Sequence, residues 1–160
     1  MRIRPFRPED AERVVALWQE CGLVRPWNDP RRDIATKLKQ QPELFLVGEV
    51  GEKVVAVVMA GYEGHRGWIN YLAVAPEHQG AGHGQAMVEH VEQLLRRLGC
   101  PKVSLQIRRE NAGAVEFYSR LGYRQDDVIS MGKRLDDSAA QQRDAADEGR
   151  VGNGRRGPRR

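Results

Sequence analysis

A chain of 160 residues with 40% hydrophobic and 30% charged residues has the length of one domain and the composition of a packed core, which excludes a disordered polyampholyte. Its longest apolar run, Val54 to Ala60, is far shorter than the ~20 residues a membrane-spanning helix requires, and Met1-Arg2-Ile3-Arg4-Pro5-Phe6 has no apolar block of a secretory signal. The net charge of +4, from 26 basic and 22 acidic residues, is compatible with an anionic ligand and does not call for nucleic acid.

In chain order, a first strand is predicted over 2–6. A helix over 9–21 follows, with Ala11, Val14, Val15, Trp18 and Cys21 along one side. Asn28-Asp29-Pro30 signals a second helix to about residue 40 that buries Ile34 and Leu38, because Asp or Asn caps and Pro suits the first turn. Strands over 44–49 and 54–62 flank a hairpin turn at 50–53, and another strand runs over 67–75. An amphipathic helix over 84–98 carries Met87, Val88, Val91, Leu94, Leu95 and Leu98 on one face. A strand over 102–107, a helix over 111–121, and strands over 123–126 and 128–135 complete the pattern. Strands interleaved with helices imply a mixed sheet covered by helices, an α/β (α+β) fold.

Composition changes after Leu135. Residues 136–160 contain one Val and no aromatic, too little apolar surface to offset the entropy of ordering. The expected organisation is a folded domain over 1–135 and a disordered, charged C-terminal tail over 136–160. Cys21 and Cys100 lack CxxC spacing and fit a reducing compartment, so a cytoplasmic location is expected.

Two segments carry chemistry. In the first, Tyr71-Leu72-Ala73-Val74-Ala75-Pro76-Glu77-His78-Gln79-Gly80-Ala81-Gly82-His83-Gly84-Gln85-Ala86, a strand passes through a glycine turn into a helix start. Unpaired backbone N–H groups and the helix dipole there suit a pyrophosphate, and glycines let the backbone approach it. The pattern is neither GxGxxG nor a Walker loop, and taken alone it also fits an ordinary strand–helix turn. In the second, Asn111 opens a helix and Tyr118 follows seven residues later, on the same face. In isolation these read as a helix cap and a packed aromatic. Both segments in this order, separated by a helix and a strand, are far less expected by chance.

Together they resemble the GNAT superfamily of N-acetyltransferases over about residues 1–135. Leu23-Val24-Arg25-Pro26-Trp27-Asn28-Asp29-Pro30 and Gly61-Tyr62-Glu63-Gly64-His65-Arg66-Gly67 are similar to the small bacterial YpeA-type acetyltransferases. The resemblance implies a twisted mixed sheet splayed between its fourth and fifth strands, with acetyl-CoA in the gap; no metal is expected, because His65, His78, His83 and His90 lack zinc-ligand spacing and there is no HExxH. It implies that the backbone of Leu72, Ala73 and Val74 pairs with the pantetheine arm. The turn of Gln79, Gly80, Ala81, Gly82, His83, Gly84 and Gln85 would hold the pyrophosphate, Asn111 would face the CoA arm, and the Tyr118 hydroxyl would face the thioester sulfur. A phenol there serves as a general acid for the departing thiolate, and prepositioned backbone N–H groups stabilise the developing oxyanion. Asn111 equally suits orienting a water or capping its helix.

The predicted fourth strand, 67–75, has no Asp or Glu, although many family members carry a Glu there as base. Glu63 and His65 are the replacement candidates, and Trp27, Asn28 and Asp29 are candidates for the acceptor pocket; core packing is expected of Trp68. The expected activity is direct acetyl transfer from acetyl-CoA to a primary amine of a small molecule, peptide or protein, by a monomer or homodimer with no membrane partner. Without a strong base, an amine of low pKa is favoured. The rival reading is a non-catalytic acyl-CoA-binding or protein-interaction module.

Overall fold

The computed structural model describes residues 1–135, so the tail expected over 136–160 lies outside the described residues. The chain divides into a compact unit, Met1–Arg124, and a second unit beginning at Gln125. In the first, β1 (Arg2–Pro5), α1 (Ala11–Glu20), α2 (Pro30–Lys37), β2 (Phe45–Val50), β3 (Lys53–Tyr62), β4 (Gly67–Val74), α3 (His83–Arg97), β5 (Val103–Leu105) and α4 (Ala112–Arg120) follow one another. The sheet order is β1-β2-β3-β4-β5. The first four strands pair antiparallel, and β4 pairs parallel with β5.

The central strands β2 and β3 are buried on both faces, which is why β3 reads as an unbroken apolar run rather than an alternation. Val55, Val57 and Met59 point to one side with Phe45, Val47 and Ala73, beneath Val14, Val15, Leu17 and Trp18 of α1 and Ile34 of α2. Ala56, Val58 and Ala60 point to the other side with Leu46 and Ile69, beneath Met87, Val88, Val91 and Leu95 of α3 and Tyr118 of α4. Successive residues on one strand thus serve two cores.

Local chemistry sets the helix ends. Asp29 Oδ1 accepts from the N–H groups of Arg31 (3.0 Å) and Arg32 (3.2 Å), and Pro30 opens α2. This helix stops earlier than the apolar spacing implies. Gln41 takes a left-handed conformation (φ 52°), and its side-chain amide clamps the Tyr62 N–H and C=O, both at 2.8 Å. The entry to α1 is tied to the sheet edge through Arg4, which reaches Asp10 at 2.8 Å and Glu49 at 2.5 Å.

The strands expected over 123–126 and 128–135 do not form: residues 123–135 contain neither strand nor helix. Tyr123 N–H instead closes the end of α4 on the Tyr118 carbonyl (3.0 Å). Val128, Ile129, Met131 and Leu135 are exposed. Alternating apolar residues form a strand only when a neighbouring edge supplies hydrogen bonds.

Candidate active site

The ladder between β4 and β5 is short. It pairs Gly67 with Val103, Trp68 with Ser104 and Ile69 with Leu105, then ends, while β4 continues to Val74 against β3 alone. The sheet therefore opens along the second half of β4. At the opening the β3–β4 register slips: Val57 faces Ala73 but Met59 faces Asn70. One extra residue on β4 makes a bulge of Tyr71 and Leu72, and Tyr71 has φ 54°. A non-glycine residue there is strained, by about 1–3 kcal/mol, and persists because its surroundings hold it.

Those surroundings come from α1, α2 and the loop between them. The Tyr71 hydroxyl donates to Asp33 Oδ2 (2.7 Å) and accepts from Asn28 Nδ2 (2.8 Å), and its ring packs on Trp18 at 4.4 Å. Burial, with help from the Asp33 carboxylate, pushes this phenol well above its ordinary pKa. Sequence reading missed Tyr71 and Asp33. Tyr71 opens the first quoted segment but carries no signal of its own there, Asp33 stands in no motif, and a bulge has no local signature beyond the strand it interrupts.

Backbone groups along the opening are unevenly placed. Ala75 N–H donates to the Val55 carbonyl (2.8 Å), so antiparallel alternation turns Ala73 toward β3 and Val74 away from it. The Val74 carbonyl accordingly accepts from Gln79 Nε2 (2.9 Å) and from Cys21 Sγ (3.3 Å). Leu72 belongs to the bulge, outside the regular ladder. Of the three residues expected to pair with a ligand arm, Ala73 is thus the exception: the strand pleat commits its backbone to β3. Cys21 is a further residue the motifs did not signal, and burial pushes its thiol pKa up.

Beyond Val74 the chain turns into α3. Gly82 is the helix N-cap in a left-handed conformation (φ 79°), with no capping side chain. The first intrahelical bond runs from Ala86 N–H to the Gly82 carbonyl (3.0 Å), which leaves the N–H groups of His83, Gly84 and Gln85 without helical acceptors. This cradle fits a pyrophosphate. Gly84 is small for a different reason: a Cβ there would lie 3.2 Å from Phe117 of α4. The rings of His78 and His83 stand 5.9 Å apart beside the turn, and Gly80 and Ala81 are exposed within it.

Tyr118 reaches into the core on the α3 side of the sheet, 9% exposed. Phe117 and Tyr123 pack edge-on against it at 4.9 and 5.3 Å. Burial alone pushes its pKa well above the usual phenol value, so at neutral pH it holds its proton. Asn111 caps α4, its Oδ1 accepting from Ala114 N–H at 3.1 Å, which leaves Nδ2 as a donor. The cap half of its two expected roles is therefore present.

The remaining expected residues lie apart from this core. Glu63 is exposed in the β3–β4 turn and accepts from the N–H groups of His65 (2.5 Å) and Arg66 (2.8 Å). Those bonds hold its pKa below the usual carboxylate range, which makes it a turn-former and a weak base. His65 is exposed beside it, and Trp68, expected to pack in the core, is 36% exposed. Asp29 is spent on capping α2. Trp27 is exposed, with the Arg108 guanidinium carbon 5.6 Å from its ring centroid. Of the expected acceptor-pocket trio, Asn28 reaches the bulge by a hydrogen bond.

The acetyltransferase (GNAT) family model matches residues 11–123. An acetyltransferase of Yersinia pestis (strain Pestoides F) is 46% identical over 135 residues, spanning 84% of this chain and 96% of the relative. The chain belongs to the GNAT acetyltransferase family. An acetyltransferase of Sodalis glossinidius is 47% identical over 136 residues, with the same coverage of both chains. Among solved structures, Ard1 from Thermoplasma volcanium superposes with a TM-score of 0.70 at 26% identity, covering 81% of this chain and 84% of that one. Membership makes the protein an acyltransferase of a family that uses acetyl-CoA. The GNAT fold is the open five-stranded mixed sheet described above.

Proposed function

We propose that this protein transfers an acetyl group from acetyl-CoA directly to a primary amine of a small molecule, peptide or protein. The supporting observation is that an unpaired half of β4, a glycine-turn helix start and a buried, protonated phenol occur at one split in the sheet. In this reading Leu72 and Val74 offer backbone groups to the pantetheine arm, with Gln79 yielding its bond to the Val74 carbonyl. The turn from Gln79 through Gly80, Ala81, Gly82, His83 and Gly84 to Gln85 holds the pyrophosphate, and Asn111 turns Nδ2 toward the arm.

The thioester supplies an activated carbonyl. The amine nitrogen bonds to that carbon, the C–S bond breaks, and Tyr118 gives its proton to the sulfur as the free thiol leaves. Backbone N–H groups at the bulge lie ready for the oxygen that carries charge between the two events. The attacking nitrogen sheds its surplus proton to water, because β4 offers no carboxylate and Glu63 is engaged in its turn. With no strong base, kcat/KM should rise with pH until the amine itself is neutral. Cys21 plays no covalent part, since burial favours its neutral thiol. The same reading carries a cytoplasmic monomer or homodimer.

The test is release of free CoA thiol from acetyl-CoA with a panel of amines and peptides. Acceptor-dependent release by the wild type, lost in Tyr118→Phe, supports the proposal. Tight acetyl-CoA binding with no acceptor-dependent release across the panel would replace it with the non-catalytic acyl-CoA-binding reading.

A further inference from the structure

The turn between α1 and α2 is closed by Asn28 N–H donating to the Arg25 carbonyl at 2.9 Å, so Arg25, Trp27 and Asn28 share one turn. Two arginines, Arg25 in this turn and Arg108 beside Trp27, stand in this neighbourhood. Arg25 Nε is buried with no hydrogen-bond partner. Among the described residues, neither Arg25 nor Arg108 takes part in an ion pair. Arg108, on the loop after β5, lies over the Trp27 ring instead.

A buried N–H without an acceptor is costly, and such a group in a native fold calls for an explanation such as an absent ion or ligand. A guanidinium held against an indole keeps its planar fork free and ordered, the arrangement that pairs with a carboxylate through two bonds. The cluster adjoins the bulge through Asn28, which hydrogen-bonds Tyr71. The charge of Arg108 is also felt at the Tyr71 hydroxyl, where it opposes the effect of burial.

We infer that Arg108, ordered by Trp27, and Arg25 of the same turn as Trp27 bind a carboxylate on the acceptor, so that the acceptor is an amino acid or a related amino-carboxylate. The inference rests on the acetyltransferase reading above and narrows it. The same two cations disfavour polyamines and the lysine-rich surfaces of proteins, since like charges brought together discriminate strongly against the wrong partner.

The experiment uses the full chain with saturating acetyl-CoA. Acceptors are the standard L-amino acids and short ω-amino acids, each beside its carboxamide, with spermidine as a cationic control. We expect acetylation of one or more carboxylates, with the matching amide lower in kcat/KM by ~10-fold or more, the size of a charge-assisted bond. Arg108→Gln and Arg25→Gln should erase that preference through KM, by ~10-fold, and Arg108→Lys should restore part of it. Arg108 is exposed, so its variant keeps the test available should Arg25→Gln fail to fold.

Calorimetry on the CoA-loaded protein gives a readout that needs no turnover: the best carboxylate should bind the wild type and lose affinity in Arg108→Gln. Amides or spermidine served as well as carboxylates would overturn the inference, as would a preference that survives both variants. Acetyl-CoA affinity that falls in the arginine variants would also overturn it, by assigning them to the CoA phosphates. A wild type that fails to bind acetyl-CoA overturns the parent reading instead, and this inference with it.

Discussion

At the residue scale, two tyrosines on opposite faces of the sheet flank the strand that loses its partner, and they do different work. Tyr118 is buried among Phe117 and Tyr123, and its raised pKa keeps it protonated through neutral and mildly alkaline pH. Tyr118→Phe should therefore lower turnover by ~10²-fold, within the range of general-acid contributions, while acetyl-CoA affinity measured by calorimetry stays within a few-fold. Deprotonation of Tyr118 should leave no alkaline limb in the wild-type kcat profile below pH ~10, the ordinary phenol value. Tyr71 anchors a strained backbone through Asn28 and Asp33. Tyr71→Phe strips both bonds and leaves two polar partners unsatisfied, a loss of about 1–3 kcal/mol in urea denaturation, together with reduced turnover as the bulge relaxes. Tyr118 and Asn111 were legible in the sequence because they stand at fixed spacing on one helix. Tyr71 and Asp33 were not, because their pairing joins residues 38 apart in sequence across a bulge whose conformation depends on tertiary contacts.

At the scale of elements, helix ends and strand order follow closely from caps, glycines and apolar periodicity. Asp29-Pro30 opens α2, Gly99 and Gly122 take positive φ after α3 and α4, and the run Val54–Ala60 is the doubly buried β3. The last two expected strands failed because period-two apolarity says nothing about whether a partner edge exists. The edge of the sheet also carries a charge network that periodicity does not reveal: Arg4 lies between Asp10 and Glu49, all three largely buried. Burial raises the Asp10 pKa, but hydrogen bonds from Arg4 and the Arg7 N–H more than offset this and hold it below its ordinary value. Glu49 is likewise lowered by Arg2 and Arg4. Carboxylates lowered in the folded state stabilise fully above their unfolded pKa, and that contribution is lost as pH falls through the folded value. The melting temperature should thus drop on acidification below pH ~4. Arg4→Gln should melt lower than wild type at pH 7, with a gap that narrows toward pH 3. A gap independent of pH would show that the network does not couple the carboxylates to Arg4.

At the scale of the whole molecule, the open edge at the end of β4, the uncapped start of α3 and Tyr118 near the end of α4 are the parts that the proposed acetyl transfer uses together. Residues 136–160 contain one Val and no aromatic, so truncation after Leu135 should change neither melting temperature nor acetyl-CoA affinity; a large fall in either would make that segment part of the folded unit. Acetyl transfer as proposed requires the turn at Gly82 to hold the pyrophosphate of acetyl-CoA, and calorimetry reads that binding without turnover. Gly82 faces open space but at φ 79°, where any side chain strains the backbone, so a folded Gly82→Glu variant, checked by circular dichroism, sets an acidic side chain against the cradle, and Gly82→Asn controls for the strain. The wild type should bind acetyl-CoA and Gly82→Glu should lose that binding; equal affinity in the two proteins, or no binding by the wild type, would remove the pyrophosphate from this turn.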